Sequence, residues 1–312
     1  MIYGFLYLFI ACVFFSLQFI FQKLFEKKTI GSFSVCLWNQ IVGCAVGVAF
    51  LLVKTGGAFS AVTADGFVYG FLYLVSGMIC SVATIFSMGC GNVGTVGTYC
   101  LAGGMIIPFV YGILALGEDA GFFKWLGIIV LCASLIPSVI RKGEKGKTNV
   151  KFVIYALIVF VTNGLVSVFS KMHQIAPNPM DEDSFLMLTG VMRIAIILVL
   201  MIGMASVKTA KGDKKAFADA FWNVSRTKMT GALFALLVVI SGTYAVCNTL
   251  GNIFSLRCMV TMDASIQFPL LSAVVIVLTA VFGRVFFGEK FTTGSVLGLI
   301  MSAAGIGLFM IP

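Results

Sequence analysis

Apolar residues fall into long runs along the chain, and short polar segments separate these runs. A helix needs about 20 apolar residues to cross about 30 Å of hydrocarbon. The pattern predicts an all-α membrane protein of ten transmembrane helices that start near Ile2, Phe33, Phe67, Val93, Phe122, Phe152, Phe185, Met229, Val260 and Phe291. Because most connections are short, we expect successive helices to be antiparallel neighbours.

Composition agrees with a membrane protein and argues against a soluble one. Apolar residues make up 60% of the chain and charged residues 11%, and the mean hydropathy is +1.08. About a quarter of the residues of a soluble domain are charged. We therefore expect a multi-pass protein of the cell membrane, whose apolar surface contacts the lipid bilayer as its partner. The net charge of +9 is spread over the connections, so it does not indicate a nucleic-acid partner.

No motif in the chain indicates a metal or a cofactor. The nine cysteines form no CxxC pair and lie mostly inside apolar runs, so we interpret them as small apolar residues. The chain has no P-loop, HExxH or GxSxG in a fitting context, so neither an ATP-driven pump nor a membrane hydrolase is indicated.

The two halves of the chain resemble each other. A shift of 171 residues superposes spans three to five on spans eight to ten, and it pairs Tyr73 with Tyr244, Ala102 with Ala273, Gly112 with Gly283, Gly117 with Gly288, Glu118 with Glu289 and Gly127 with Gly298. An odd number of spans makes the second copy enter the membrane in the opposite sense. We therefore predict two inverted five-helix repeats, residues 1–140 and 152–312, joined by a basic loop at residues 141–151. Transporters with a site at the repeat interface have this architecture.

The last two spans carry a short motif that recurs in the first half. It consists of Pro269 to Ala273 (PLLSA), Phe287 to Thr292 (FGEKFT) and Gly298. In the first half Leu116, Gly117, Glu118 and Gly127 repeat it, with Thr98 in place of the proline. These residues resemble the signature of EamA-type carriers of the drug/metabolite transporter superfamily. The resemblance implies a ten-helix carrier of amino acids, nucleotide-type metabolites or drugs, and it does not choose among them.

Arg193 is the strongest candidate for a functional residue. It lies within the apolar run from Phe185 to Met204, roughly 13–16 Å from either end at the helical rise of about 1.5 Å per residue. A central arginine costs about 2.5–3.5 kcal/mol on insertion scales, so it must face protein or a watery cavity. One interpretation is a cationic fork that anchors a substrate carboxylate or phosphate. The alternative is a structural arginine that binds helix-end carbonyls.

Polar residues within other spans supply further candidates. Ser241, Tyr244, Asn248 and Asn252 recur at helical spacing on one face, and Tyr73 belongs to a similar stripe in the first half. Such stripes either form hydrogen bonds between helices or line a solute path. The remaining intramembrane candidates for substrate binding are Gln18, Trp38, Asn39, Tyr99, Asn163 and Gln267. Trp38 has a second interpretation as an interfacial anchor, because it begins a span.

Other conspicuous residues have a structural interpretation. In Gly117–Glu118 and Gly288–Glu289, the glycine suits a left-handed helix cap, and the glutamate suits the dipole of the next helix. Pro108 and Pro269 interrupt equivalent helices of the two halves, where they either expose carbonyls to a substrate or only shape packing. We expect Lys23 and Lys171 to snorkel to the interface and His173 to be solvated. Asp263 is the acid best placed to reach a central cavity.

These observations predict a secondary transporter that moves an anionic or zwitterionic metabolite, such as an amino acid, by alternating access. We expect a monomer or a homodimer. Besides the lipid bilayer, its expected partner is the small-molecule solute. An exporter of hydrophobic or cationic drugs is the main alternative, although no acid lies mid-span to carry a proton. A receptor or an intramembrane enzyme is less favoured, because an enzyme should cluster acids, histidines or a Ser/Lys pair at membrane depth.

The basic residues also predict the orientation of the chain. Sixteen lie in or beside the odd-numbered connections: Lys23, Lys27, Lys28, Arg141, Lys142, Lys145, Lys147, Lys151, Lys208, Lys211, Lys214, Lys215, Arg226, Lys228, Arg284 and Lys290. Four belong to the even-numbered connections: Lys54, Lys124, Lys171 and Arg257. The positive-inside rule then puts the odd connections in the cytoplasm and both termini outside. Relatives in the superfamily that the chain resembles are usually drawn with both termini inside.

Overall fold

Ten helices form the part of the chain that the structure describes. The computed structural model describes residues 2–28, 33–90, 93–139, 150–210, 231–288, 293–309 and 311. The helices are α1 (Ile2–Lys28), α2 (Phe33–Lys54), α3 (Ala64–Cys90), α4 (Val93–Leu116), α5 (Phe122–Val139), α6 (Val150–Gln174), α7 (Glu182–Ala210), α8 (Gly231–Thr261), α9 (Ala264–Phe287) and α10 (Thr293–Phe309). Each begins within four residues of a start that the apolar runs predict.

The helices define an integral, multi-pass membrane protein. Within the described residues, eight helices are long and apolar enough to cross a membrane. The other two, α5 and α10, carry shorter apolar segments at Phe122–Ser134 and Val296–Leu308. Large apolar side chains such as Leu114 and Val199 are 79% and 70% exposed, as lipid contact requires. The spanning role of α5 and α10 stays a prediction.

Most of the packing joins helices that are far apart in the chain. The most extensive interfaces are those of α3 with α6, α1 with α8, and α5 with α10, whereas α2 and α3 barely touch. The expectation that successive helices are neighbours is therefore wrong for most pairs. A short connection fixes which end of the bundle a helix starts from, but the apolar and small residues of its face select the helix that it packs against.

The junction between α8 and α9 is clamped by two charged side chains. The Lys171 ammonium, from the end of α6, donates to the carbonyls of Met259 and Met262 at 2.6 and 2.8 Å, where α8 ends. The Glu118 carboxylate accepts from the backbone N–H groups of Ala264 and Ser265 at 2.8 and 2.7 Å, where α9 begins. Each charge satisfies helix-end groups and opposes the dipole of that helix end.

This clamp corrects two sequence-based expectations. Lys171 is only 6% exposed, so it is a buried capping residue and not a snorkelling anchor. Glu118 caps α9 in the other half of the chain, whereas we expected it to cap α5, the next helix after it. Asp263 lies in the same junction as the residue that precedes α9, and its side chain makes no capping hydrogen bond there.

His173 is buried, and the expectation that it is solvated is wrong. Its ring stacks on Phe185 with the centroids 3.8 Å apart. The imidazole Nε2 accepts a hydrogen bond from the backbone N–H of Met180 at 3.1 Å. Since a ring nitrogen accepts only when it carries no proton, this contact selects the neutral imidazole. His173 thereby fixes the short turn between α6 and α7.

Candidate functional site

A central cavity of about 150 Å³ lies between α2, α3, α7 and α8. Its wall is polar for a membrane interior and contains amide, hydroxyl and guanidinium groups. The lining residues are Asn39, Gln40, Gly43, Cys44, Gly47, Val48, Leu51, Tyr73, Ser81, Leu186, Thr189, Gly190, Arg193, Tyr244, Ala245, Asn248, Thr249 and Asn252. None of these residues is acidic, so Arg193 supplies the only formal charge of this described wall.

Arg193 enters the cavity from the middle of α7. Its Nη2 atom points at α3, where a Cβ on Gly77 would lie only 2.7 Å from it, so the glycine leaves the space that the guanidinium occupies. Among the residues that the structure describes, none forms a hydrogen bond or an ion pair with this guanidinium; the described ion pairs are Lys54–Asp183 and Arg257–Glu182. An unpaired cation at membrane depth is costly unless water or a ligand solvates it.

A chain of amide side chains crosses the cavity wall from α1 to α3. The Asn248 side chain donates to Gln18 Oε1 at 2.7 Å. The Asn252 amide donates to the Asn248 carbonyl at 2.8 Å and to its Oδ1 at 3.2 Å. The Tyr73 hydroxyl reaches Asn252 Oδ1 at 3.4 Å. These bonds fix the polar stripe of α8 in place, so it both connects helices and lines the cavity.

Helix α2 closes the cavity by a close approach to α8. The Ser241 hydroxyl donates to Asn39 Oδ1 at 2.7 Å and ties the two helices together. A Cβ on Gly47 would lie 2.9 Å from the Thr249 hydroxyl, and one on Gly43 would lie 3.8 Å from Ala245. Small residues at this spacing are how membrane helices reach backbone contact. The asparagine side chains are thereby brought within one small space.

Two apolar clusters flank the cavity along α2 and α7. Toward the end of α2, Leu51 packs with Met187 and Ile253. Toward its start, Leu37 packs with Ile197 and Met201. All six residues are at most 3% exposed. An apolar cluster thus lies on each side of the polar cavity along α2 and α7.

The structure brings together five of the ten candidate binding residues, namely Asn39, Tyr73, Arg193, Tyr244 and Asn248. Gln18 stands directly behind them as the partner of Asn248. Sequence reasoning missed Cys44, Ser81, Thr189 and Thr249, which also line the cavity. Thr189 could have been found because it lies one helical turn before Arg193.

The other four candidates lie elsewhere. Gln267 is fully buried beside the α8–α9 junction, where it donates to the Ser255 carbonyl at 2.9 Å. Trp38 packs between Phe25 and Phe234 in an apolar cluster. The remaining two contact neighbouring helices: Tyr99 meets Phe152 edge to face, and Asn163 donates to the Cys100 carbonyl at 2.7 Å.

The glycine–glutamate motif has the backbone geometry of a helix end. Gly117 and Gly288 both adopt a left-handed conformation, with φ of 65° and 64°. The Gly288 N–H donates to the Arg284 carbonyl at 3.0 Å and closes α9. Pro269 lies inside α9 and is buried, and Pro108 lies inside α4. Glu289 and Thr292 lie outside the described residues.

Comparisons with known proteins identify the fold and leave the family open. A solved structure titled "Crystal structure of protein" has a TM-score of 0.70 and 14% identity, over 99% of this chain and 96% of that chain. It is one of 28 matching chains of solved structures. No protein-family model and no curated protein matches this chain. At this identity the likeness shows a shared fold alone.

Proposed function

We propose that the protein is a secondary transporter that carries a small anionic or zwitterionic metabolite across the membrane by alternating access. The observation that carries the proposal is Arg193, an arginine at membrane depth that faces a polar cavity and has no partner among the described residues. A cation in this position is stabilised by an anion that enters and leaves. A purely structural arginine would instead bind carbonyls, as Lys171 does at the α8–α9 junction.

The surroundings of the cavity support alternating access. An apolar cluster lies on each side of it along the bundle, and α2 and α7 contribute to both clusters. A carrier needs a barrier on each side of its site, so that opening one exposes the solute while the other still blocks the path. Rocking of α2 and α7 against the rest of the bundle would separate the residues of the two clusters in turn.

Helix pairing supports the inverted repeat that this proposal includes. In the proposed repeat, helices α1 to α5 correspond in order to helices α6 to α10. The pairing of α3 with α6 therefore corresponds to the pairing of α8 with α1, and the pairing of α4 with α6 corresponds to that of α9 with α1. Helices α2 and α7, α4 and α9, and α5 and α10 pair with their own counterparts. The cavity lies where the halves meet, the position expected for the site of a carrier of this kind. The resemblance to EamA-type carriers points to the same class.

The chemistry of the cavity disfavours the alternative functions. A drug exporter for cations should present an acid, whereas the described wall presents a guanidinium. An enzyme should place several acid–base groups around one reacting atom, and neither histidine nor carboxylate lines the described wall. A carrier needs only the recognition groups that are present.

A thermal-shift screen of the purified protein against a metabolite library tests the proposal. A ligand at 100 times its Kd should add about 2.7 kcal/mol to the apparent stability. We expect small organic anions among the hits, and we expect their effect to disappear in Arg193→Gln. Arg257→Gln removes an arginine from outside the cavity and should retain the hits. A set of hits confined to hydrophobic cations would support the drug exporter and contradict the proposal.

A further inference from the structure

The amide oxygens around the central cavity already accept hydrogen bonds within the protein. Asn39 Oδ1 accepts from Ser241, and Asn252 Oδ1 faces the Tyr73 hydroxyl. Asn248 Oδ1 accepts from the Asn252 amide. Because an amide oxygen has two lone pairs, each of these three lining residues has only part of its acceptor capacity left for a solute.

The positive charge of the cavity, by contrast, has no counter-charge among the described residues. The Arg193 guanidinium carries a fork of N–H donors and forms no hydrogen bond or ion pair with any described residue. No carboxylate lines the described wall, and the Gln40 oxygen is buried rather than open to the cavity. A solute therefore meets a positive charge, and the acceptors that the described wall offers it are neutral hydroxyl and amide oxygens.

An ammonium group meets no charged acceptor in the described wall of this cavity. It donates three hydrogen bonds and accepts none, and it would lose its hydration shell on entry. In a space this small it would also stand near the Arg193 guanidinium, and like charges raise the cost of keeping both ionised. A hydroxyl or carbonyl oxygen at the same position of the solute accepts hydrogen bonds and carries no charge.

We propose that the solute is a small hydroxy or oxo acid, and that the site rejects the amino acid of the same carbon skeleton. This inference rests on the proposed transport function and narrows its solute from an anionic or zwitterionic metabolite to an anion without an ammonium group. The carboxylate binds Arg193 through the guanidinium fork. The hydroxyl or oxo group is uncharged and needs no anionic partner, so it suits the neutral polar groups of the rest of the wall.

The size of the cavity limits the solute further. Its volume of about 150 Å³ matches that of an engineered protein cavity that binds benzene, a ligand of roughly six non-hydrogen atoms. The solute therefore has on the order of six to ten non-hydrogen atoms. Acids of three to five carbons match this size, whereas nucleotides and most drugs exceed it.

Matched pairs of acids test the inference on the purified full-length protein. Each pair shares one skeleton and differs in a hydroxyl against an ammonium: lactate and alanine, glycerate and serine, malate and aspartate. We expect the hydroxy acid of at least one pair to bind about tenfold or more tightly than its amino acid, since a lost hydrogen bond to a charged group has this magnitude. N-acetylalanine removes the ammonium and should bind more tightly than alanine.

The outcomes separate this inference from the proposed function. Amino acids that bind as tightly as their hydroxy acids, with both lost in Arg193→Gln, would overturn the inference and leave the transporter in place. N-acetylalanine that binds no better than alanine would also overturn it. If no acid binds, or if binding is unchanged in Arg193→Gln, the proposed function fails as well. The comparison within each pair is made on the natural protein and does not depend on the folding of a variant. Arg193→Gln serves only to test the proposed function.

Discussion

Placing an arginine at the centre of a membrane helix costs about 2.5–3.5 kcal/mol on insertion scales. In this chain no described residue offsets that cost by pairing with Arg193, whereas Gly77 makes room for it beside α3. The polar groups that surround it come from three other helices. Such an arrangement is a destabilised site that a bound anion would stabilise.

We predict that Arg193 is required for transport and not for folding. Arg193→Gln and Arg193→Lys should express and insert normally and lose most of the flux, measured in proteoliposomes. Lysine keeps the charge but loses the planar fork that binds a carboxylate in two places. Arg257→Gln, which alters a surface ion pair at 4.0 Å, should transport normally. Normal flux in Arg193→Gln would rule out the anchoring role.

Two glutamines within the bundle allow a matched test of the amide chain. Gln18→Leu removes the partner of Asn248, and we expect the affinity for the solute to fall about twofold to tenfold, the range of one net hydrogen bond. Gln267→Leu removes a hydrogen bond to Ser255, away from the cavity. It should lower thermal stability and leave the affinity unchanged. Equal loss of affinity in both variants would mean that Gln18 does not act through the site.

At the scale of elements, the α8–α9 junction depends on side chains from elsewhere in the bundle. Helix α8 ends there and helix α9 begins within three residues. The last carbonyls of α8 and the first N–H groups of α9 are therefore left without partners inside their own helices. Lys171 serves the carbonyls and Glu118 serves the N–H groups. This double cap holds both halves of the chain together at one end of the bundle.

We predict that Glu118→Ala and Lys171→Met each lower the free energy of unfolding by about 1–3 kcal/mol, because each leaves two buried backbone groups unsatisfied. Glu118→Gln should be milder, since one oxygen still accepts. The controls are Asp119→Asn and Lys124→Met, which change neighbouring charges outside the junction and should stay within about 0.5 kcal/mol. Thermal unfolding in detergent measures the difference. Variants as stable as their controls would contradict the capping role.

At the scale of the whole molecule, the two ends of the bundle differ in charge. The even-numbered connections lie at one end, as shown by Lys54 with Asp183 at 2.6 Å and Asp65 with the Asn178 N–H at 3.1 Å. Cys258, near the end of α8, contacts the Gly4 carbonyl, so the start of α1 is there too. In the sequence, seven acidic and four basic residues lie in or beside the even-numbered connections, and five acidic and sixteen basic residues lie in or beside the odd-numbered ones.

The positive-inside rule places the basic end in the cytoplasm. All four basic residues of the opposite end have structural partners: Lys54 and Arg257 form ion pairs, Lys171 is a buried cap, and Lys124 donates to the Asp119 carbonyl. We therefore keep the prediction that both termini are outside.

Single cysteines in a cysteine-less background test this orientation. Cysteines at Lys145 and Lys211, in connections outside the described residues, should resist an impermeant thiol reagent in intact cells and react after lysis. A cysteine at the exposed Asp119, at the opposite end, should react in intact cells. The reverse pattern would place both termini inside and show that the charge bias does not set the topology.

Much of this protein could be predicted from the sequence, because lipid imposes a simple rule on each segment by itself. A run of apolar residues must become a helix to satisfy its own backbone, so the starts of all ten helices were predicted within four residues. The same rule singled out Arg193 and the stripe of α8, since a polar group at membrane depth must face inward. Five of the ten candidate binding residues share the cavity for this reason.

What the sequence left open depends on contacts between segments. Periodicity assigns a face to a helix and does not name the helix that covers it, so the pairing of α1 with α8 and α3 with α6 was missed. The same limit applies to Lys171 and His173, which look like surface residues at a span end and are buried by α8 and α7. Gln267 and Asn248 both carry amide side chains within predicted spans. Only the tertiary structure put Asn248 in the cavity and Gln267 beside a helix junction, because packing decides which inward face meets a space large enough for a solute.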